Sequence, residues 1–238
     1  MTETSRARDV AARRARADRI LDAAGALLLR WGYDRVTMDD VASQAGVGKG
    51  TVYLHWKTRE ELFLAALERE SVGAIEELLD AIRRDPEEAL LHRLTGRLYR
   101  SIMSRPLSRA LFTSDLEVLG KLSRLSEDAL EAQGAAWVRD YLRLLQEHGL
   151  ARVDLTTAEL FFAHDATLNG FFLTESSSQH AALPMERRAE LLAGIVERAF
   201  GAEAPPDLET VRAVAPRVIE IFSGLAEITL AHLRRAYE

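Results

Sequence analysis

The 238-residue chain has no cysteine, so disulfides and thiolate metal sites are excluded and a reducing cytoplasm is the expected compartment. It also lacks any run of 18 or more apolar residues, which leaves no candidate membrane span. The N-terminal MTETSRARDVAARRARADR is rich in arginine but has no apolar h-region, so it does not read as a secretory signal. No alternating strand pattern, internal repeat, phosphate-binding glycine loop or nucleophile motif is present. The six histidines show no pair at metal-ligand spacing near a carboxylate; His164 does stand beside Asp165, but sequence neighbours point to different faces of a helix. An all-α protein with no catalytic residues, metal or cofactor is therefore expected.

Charge is unevenly divided. The net charge is −6, yet residues 1–59 hold 11 Lys and Arg against 7 Asp and Glu, and the remainder is strongly acidic. An acidic body with a basic head can bind DNA, because exposed charges beyond a Debye length of about 8 Å are largely screened.

The most informative stretch is TMDDVASQAGVGKGTVYLHWKTREEL, residues 37–62. Met38, Val41, Ala42 and Ala45 fall on one face of a 3.6-residue repeat. Thr37 is a suitable N-cap, Asp39 and Asp40 suit the positive end of the helix dipole, and Gly46 suits a left-handed turn. On the next helix Val52 and Trp56 face inward, while Gly48 and Gly50 each cost about 1 kcal/mol unless the backbone must approach something bulky. These features fit a helix-turn-helix or a plain helical hairpin.

Residues about 19–67, RILDAAGALLLRWGYDRVTMDDVASQAGVGKGTVYLHWKTREELFLAAL, closely resemble the N-terminal domain of TetR-type bacterial transcription regulators. The shared features are a glycine before an aromatic, a threonine-capped helix, an alanine–glycine turn and G-x-G-T-x-Y. Trp56 stands where phenylalanine is usual and Arg59 where lysine is usual, both with the physical role kept. The resemblance implies a repressor of a double-stranded DNA operator, responsive to a small, mostly apolar effector and homodimeric through its last helices. A helical protein-interaction adaptor and a helical enzyme are the rival readings. Phosphate contacts are expected from Thr37, Tyr53 and Arg59, base-edge contacts from Lys49 and Thr51, and close approach at Gly48 and Gly50. Leu54 is either a thymine-methyl contact or a plain exposed leucine, and His55 and Lys57 complete the group.

The expected organisation is a flexible basic arm over 1–14, a three-helix DNA-binding domain over 15–60, and a helical effector-binding and dimerisation domain over 61–238. The first helix is expected from about Ala15 to Trp31, and a fourth, capped by Thr58, connects rigidly to the body. Asp85-Pro86-Glu87-Glu88 reads as a helix start, and short helices are expected over 107–111 and 116–122. Longer ones follow over 127–148, from the capping box Thr156-x-x-Glu159, between Pro184 and Gly201, and from Leu208 to Tyr237. Pro216 is expected to kink or split the last. Whether Met185–Gly201 or Leu208–Tyr237 forms the dimer seam stays open.

His164, Asp165 and Asn169 interrupt an apolar helix carrying Phe161, Phe162, Leu168, Phe171 and Phe172. A buried polar group needs a partner, so these three must meet the fold, the dimer seam or a ligand. An effector pocket lined by Phe112, Trp137, Phe162, Asp165 and Asn169 is one expectation. Plain core is the other for Phe112 and Trp137.

Overall fold

The computed structural model describes residues 3–113, 115–120, 122–175 and 183–237. In chain order the helices are α1 (Glu3–Trp31), α2 (Met38–Ala45), α3 (Lys49–His55), α4 (Arg59–Arg84), α5 (Leu91–Ser104), α6 (Pro106–Phe112), α7 (Leu116–Leu119), α8 (Leu122–Glu147), α9 (Thr157–Thr174), α10 (Met185–Phe200) and α11 (Leu208–Tyr237). Among the described residues the only β pairing is one isolated bridge between Ala151 and Gly201. The chain is all-α, with a small N-terminal helix-turn-helix head and a larger helical body.

Local chemistry sets most of the boundaries. The Thr37 hydroxyl accepts the Asp40 N–H while the Asp40 carboxylate accepts the Thr37 N–H, a reciprocal cap that fixes the start of α2. Thr58 caps α4 through the Glu61 N–H, and Thr156 with Glu159 makes a second reciprocal box on α9. Gly46, at φ 65°, ends α2 in the left-handed region where glycine carries no Cβ penalty.

Three expectations change. The helix α1 begins at Glu3, because its Ala- and Arg-rich start contains neither proline nor glycine before Gly25, so residues 3–14 form helix where a flexible arm was expected. Pro86 opens only a single 3-10 turn, Pro86–Ala89, and α5 starts afresh at Leu91. Pro216 does not split α11, which continues past it, and because Pro216 is exposed, water can satisfy the carbonyl that proline leaves without a donor.

Two apolar clusters form the interior. The body cluster joins α4 and α5 with α8 to α11 around Tyr99, Tyr141, Leu160, Phe172, Leu192 and Val218. The head cluster holds Ile20, Leu28, Val36, Val41, Val52 and Trp56, and takes in Leu62, Phe63, Leu67 and Val72 of α4. It also includes Leu107 and Leu111 of α6, Leu119 of α7 and Leu233 of α11. A boundary at residue 60 cuts through this cluster, so head and body share packing. The helices α1 and α6 come close at Gly25, where a Cβ would lie within 3.1 Å of Leu107 Cδ1.

Candidate nucleic-acid interface

The helices α2 and α3 are held by a buried seam of Met38, Val41, Ala42, Val52 and Trp56, which turns the other face of α3 outward. On that outer face Gly48, Lys49, Gly50, Tyr53 and Leu54 are exposed and Thr51 is half-buried. A Cβ built on Gly50 meets nothing within 4 Å, and one on Gly48 meets only the Thr51 hydroxyl at 3.9 Å. Neither glycine is required by packing inside the chain. Gly48 is the N-cap of α3, a place that suits glycine, whereas Gly50 lies inside the exposed helix, where glycine costs about 1 kcal/mol relative to alanine, so a close external approach is its remaining physical use.

The cations differ in how they are held. Lys49 Nζ lies 2.7 Å from Asp39, both side chains being exposed, and this pairing raises the lysine pKa. An exposed pair of this kind is worth little and exchanges readily for a phosphate. Lys57 Nζ donates to the Tyr53 carbonyl at 3.0 Å and remains exposed. Arg59 is committed further: its Nη1 donates to the carbonyls of Tyr33 and Val36, each at 3.1 Å, and the guanidinium carbon stands 4.2 Å from the Tyr33 ring centre. Tyr33 in turn donates to Glu60 at 2.6 Å, and burial followed by this bond raises its pKa. Arg59 therefore braces the α1–α2 loop against the start of α4. His55 is 8% exposed and tilted against the Trp56 ring at 5.4 Å, because the last turn of α3 folds back on the head core. Its expected place on the outer face is corrected. Trp56 is itself 2% exposed, with an indole N–H that has no acceptor among the described residues.

The expected effector constellation does not assemble. The buried stripe of α9 is Leu160, His164, Leu168 and Phe172, so the 100° step per residue puts Phe162, Asp165 and Asn169 on the opposite, exposed side. Asn169 donates to Asp165 at 3.0 Å on that surface, and Phe162 is 74% exposed. Only His164 of the polar trio is buried, 2.9 Å from the Thr95 hydroxyl, and burial pushes its pKa down to about 4. Phe112 packs on Phe172 at 4.9 Å, and Trp137 packs flush against Gly224 of α11.

A cleft lies elsewhere, where the head meets the body. Its volume is about 760 Å³ and its lining includes Leu29 of α1, Met103 of α5, Pro106 and Arg109 of α6, Val118 of α7 and Glu175 after α9. Glu175 accepts from Tyr99 and from Arg188, the latter at 2.8 Å. No periodicity within a single helix marks this cleft, since five separate elements supply it.

Residues 20–66 match the profile described as bacterial regulatory proteins, tetR family. The DNA-binding transcriptional repressor TetR of Mycobacteroides abscessus is 41% identical over 54 residues, 23% of this chain and 28% of that protein. The chain thus spans little more than a quarter of that relative. An uncharacterized HTH-type transcriptional regulator of Mycobacterium bovis, Mb2274c, is 30% identical over 181 residues, 71% of this chain and 88% of its own length. The SmeT–triclosan complex superimposes with a TM-score of 0.64 at 20% identity over 82% of this chain and 99% of that one, a likeness of fold. With its head matched by the family profile and most of its length by a family-type regulator, the chain belongs to the tetR family of bacterial regulatory proteins.

Proposed function

We propose that the protein is a homodimeric, ligand-responsive repressor that reads duplex operator DNA with α3 in the major groove. The observation that carries this reading is the outer face of α3, where Gly48 and Gly50 stand in open space between Lys49, Tyr53 and Leu54. A helix that gives up side chains without internal need, beside basic and hydroxyl-bearing residues, suits a backbone brought against phosphates and base edges. Thr37, Lys49, Thr51 and Tyr53 are the proposed contacts, with Lys57 at the flank and Arg59 acting mainly by holding the frame.

Two short recognition helices must sit about one helical turn apart, which calls for a dimer. The exposed apolar residues Phe162 and Leu173 of α9 and Leu191 and Ile195 of α10 supply a surface for the second copy. The outward faces of α9 and α10, which carry these four residues, are the proposed seam. The cleft between α1 and α6 is the proposed effector site. Its wall α6 is tied to α4, because Glu70 accepts both the N–H and the hydroxyl of Ser108, at 2.8 and 3.0 Å. Arg105, just before α6, donates to Glu77 at 2.9 Å and to the Gly73 carbonyl at 3.0 Å. A ligand that spreads the cleft would shift α6, and α4 and the head with it. The SmeT–triclosan complex gives this reading a precedent in a protein of like fold.

The test is selection of duplexes from fragmented genomic DNA by the purified full-length protein. The expected outcome is enrichment of an inverted repeat with half-sites about one turn apart. Recovery of unrelated fragments without a shared repeat would overturn the reading.

A further inference from the structure

The basic start of α1 is explained neither by the body nor by the helix-turn-helix. The helix begins at Glu3, whereas the first buried side chain from Arg8 onward is Ala17. At 1.5 Å per residue, about 20 Å of helix extends beyond the head core. Residues 1–19 carry Arg6, Arg8, Arg13, Arg14, Arg16 and Arg19 against Glu3, Asp9 and Asp18. In the body, arginines such as Arg69, Arg93, Arg97, Arg105 and Arg188 each reach a carboxylate. Along the extension, Arg8, Arg13, Arg14 and Arg16 make neither an ion pair nor a side-chain hydrogen bond among the described residues, although Asp9 and Arg13 stand at i,i+4 spacing. In a chain of net charge −6, this is a concentrated and uncompensated positive charge, built on the same rigid helix that holds the head together.

We propose that the helical extension of α1 is a second DNA-binding element, which lies against the phosphates flanking the half-site read by α3. The inference rests on the DNA-binding reading of the head. Charge complementarity selects the occupant, since guanidinium groups on long stems pair with phosphates by forked hydrogen bonds. A membrane surface is the other polyanion of this size, but an interfacial helix needs an apolar stripe. Between Arg8 and Arg16 only Val10 is a larger apolar residue, and the arginines are spread around the helix. Contacts of this kind carry no base information, so the extension adds affinity for every sequence and widens the footprint beyond the half-sites.

The experiment compares the full-length protein with the quadruple variant R8Q/R13Q/R14Q/R16Q, glutamine being chosen because it preserves helix propensity. Binding to a labelled random-sequence duplex of about 40 base pairs is titrated across salt concentrations, each neutralised phosphate contributing about 0.9 to the slope of log K against log salt. The expected result is a slope shallower by about 2 to 4, with at least about a tenfold loss of affinity. Thermal midpoint and sedimentation should stay unchanged. Wild type and variant binding alike would reduce the extension to a solvated helix and overturn the proposal. Failure of the wild type to bind any duplex, genomic fragments included, would instead overturn the reading beneath it. Loss of binding to phosphatidylserine–phosphatidylcholine vesicles with DNA binding intact would assign the arginines to a membrane and also overturn it.

Discussion

Arg59 lies over the Tyr33 ring at 4.2 Å while the same guanidinium donates to the Tyr33 and Val36 carbonyls. One side chain at the start of α4 thus closes the loop that leads into α2. Arg59→Ala should cost about 1 to 3 kcal/mol of stability, the range for a lost charge-assisted hydrogen-bond pair. Affinity should fall on every duplex because the frame shifts, with the salt slope kept. Lysine keeps the charge but lacks the planar fork, so Arg59→Lys should recover only part of the stability. A slope reduced by about one in Arg59→Ala, restored in full by lysine, would return the residue to a phosphate.

Gly50 tests whether α3 gives up a side chain for the sake of contact. Since a Cβ there meets nothing within 4 Å, Gly50→Ala should raise stability by up to about 1 kcal/mol. The same methyl group should weaken duplex binding at least about tenfold, because it stands between backbone and DNA. Unchanged affinity, measured beside an unchanged or raised thermal midpoint, would remove the close approach from the mechanism.

The head was legible in the sequence because its signals are local. Thr37, Gly46 and Thr58 each act within a few residues of themselves, and each stands at the expected boundary. The bracing role of Arg59 depends on carbonyls more than 20 residues away, which periodicity does not reveal, and the burial of His55 follows from how the end of α3 settles in the folded head. The body shows the same limit. In α9 the polar residues look alike in sequence, yet the i+4 stripe sends His164 inward and Asp165 and Asn169 outward. The Leu160 and Phe172 spacing, counted strictly at four, would have separated them. The cleft beside Leu29 and Arg109 had no such signal, because it exists only once α1, α5, α6, α7 and the end of α9 are brought together.

Burial of His164 against Thr95 and the Phe200 ring gives stability a pH dependence. Its folded pKa, about 4, lies below the ordinary histidine value of 6.5, so the unfolded chain takes up the proton first. The stabilisation is complete above the unfolded value and is lost as pH falls from about 6.5 towards 4, at up to about 1.4 kcal/mol per pH unit. His92, whose pKa is lowered chiefly by burial, acts in the same direction. Chemical denaturation between about pH 7 and 5, above the carboxylate range, should show His164→Gln with a flatter slope than wild type. Identical slopes would mean that His164 is already protonated in the fold.

The outward face of α9 and α10 predicts the seam. Phe162→Glu and Ile195→Asp place a charge where two apolar surfaces would meet, a burial that is prohibitive without a partner. Sedimentation should give dimers for the wild type at micromolar concentration and monomers for the double variant, with helical content retained. An equivalent change at the exposed Ile228 of α11 should leave the dimer intact. Dissociation by the α11 change alone would move the seam to that helix.

The tie between α6 and α4 predicts how ligand binding and DNA release can be separated. A ligand shifts the balance only by its differential affinity for the two states, and a hundredfold difference corresponds to about 2.7 kcal/mol of coupling. Glu70 bonded to Ser108, and Arg105 bonded to Glu77 and Gly73, are the polar contacts that would transmit it. Compounds that raise the thermal midpoint of the wild type and release it from a selected duplex would be retested on Glu70→Ala with Arg105→Ala. The double variant should still gain midpoint with the compound, since neither residue lines the cleft. Its DNA release should need at least about tenfold more compound, equivalent to about 1.4 kcal/mol of lost coupling. Release at the wild-type concentration would show that the signal passes instead through Leu107 and Gly25, where α6 bears directly on α1.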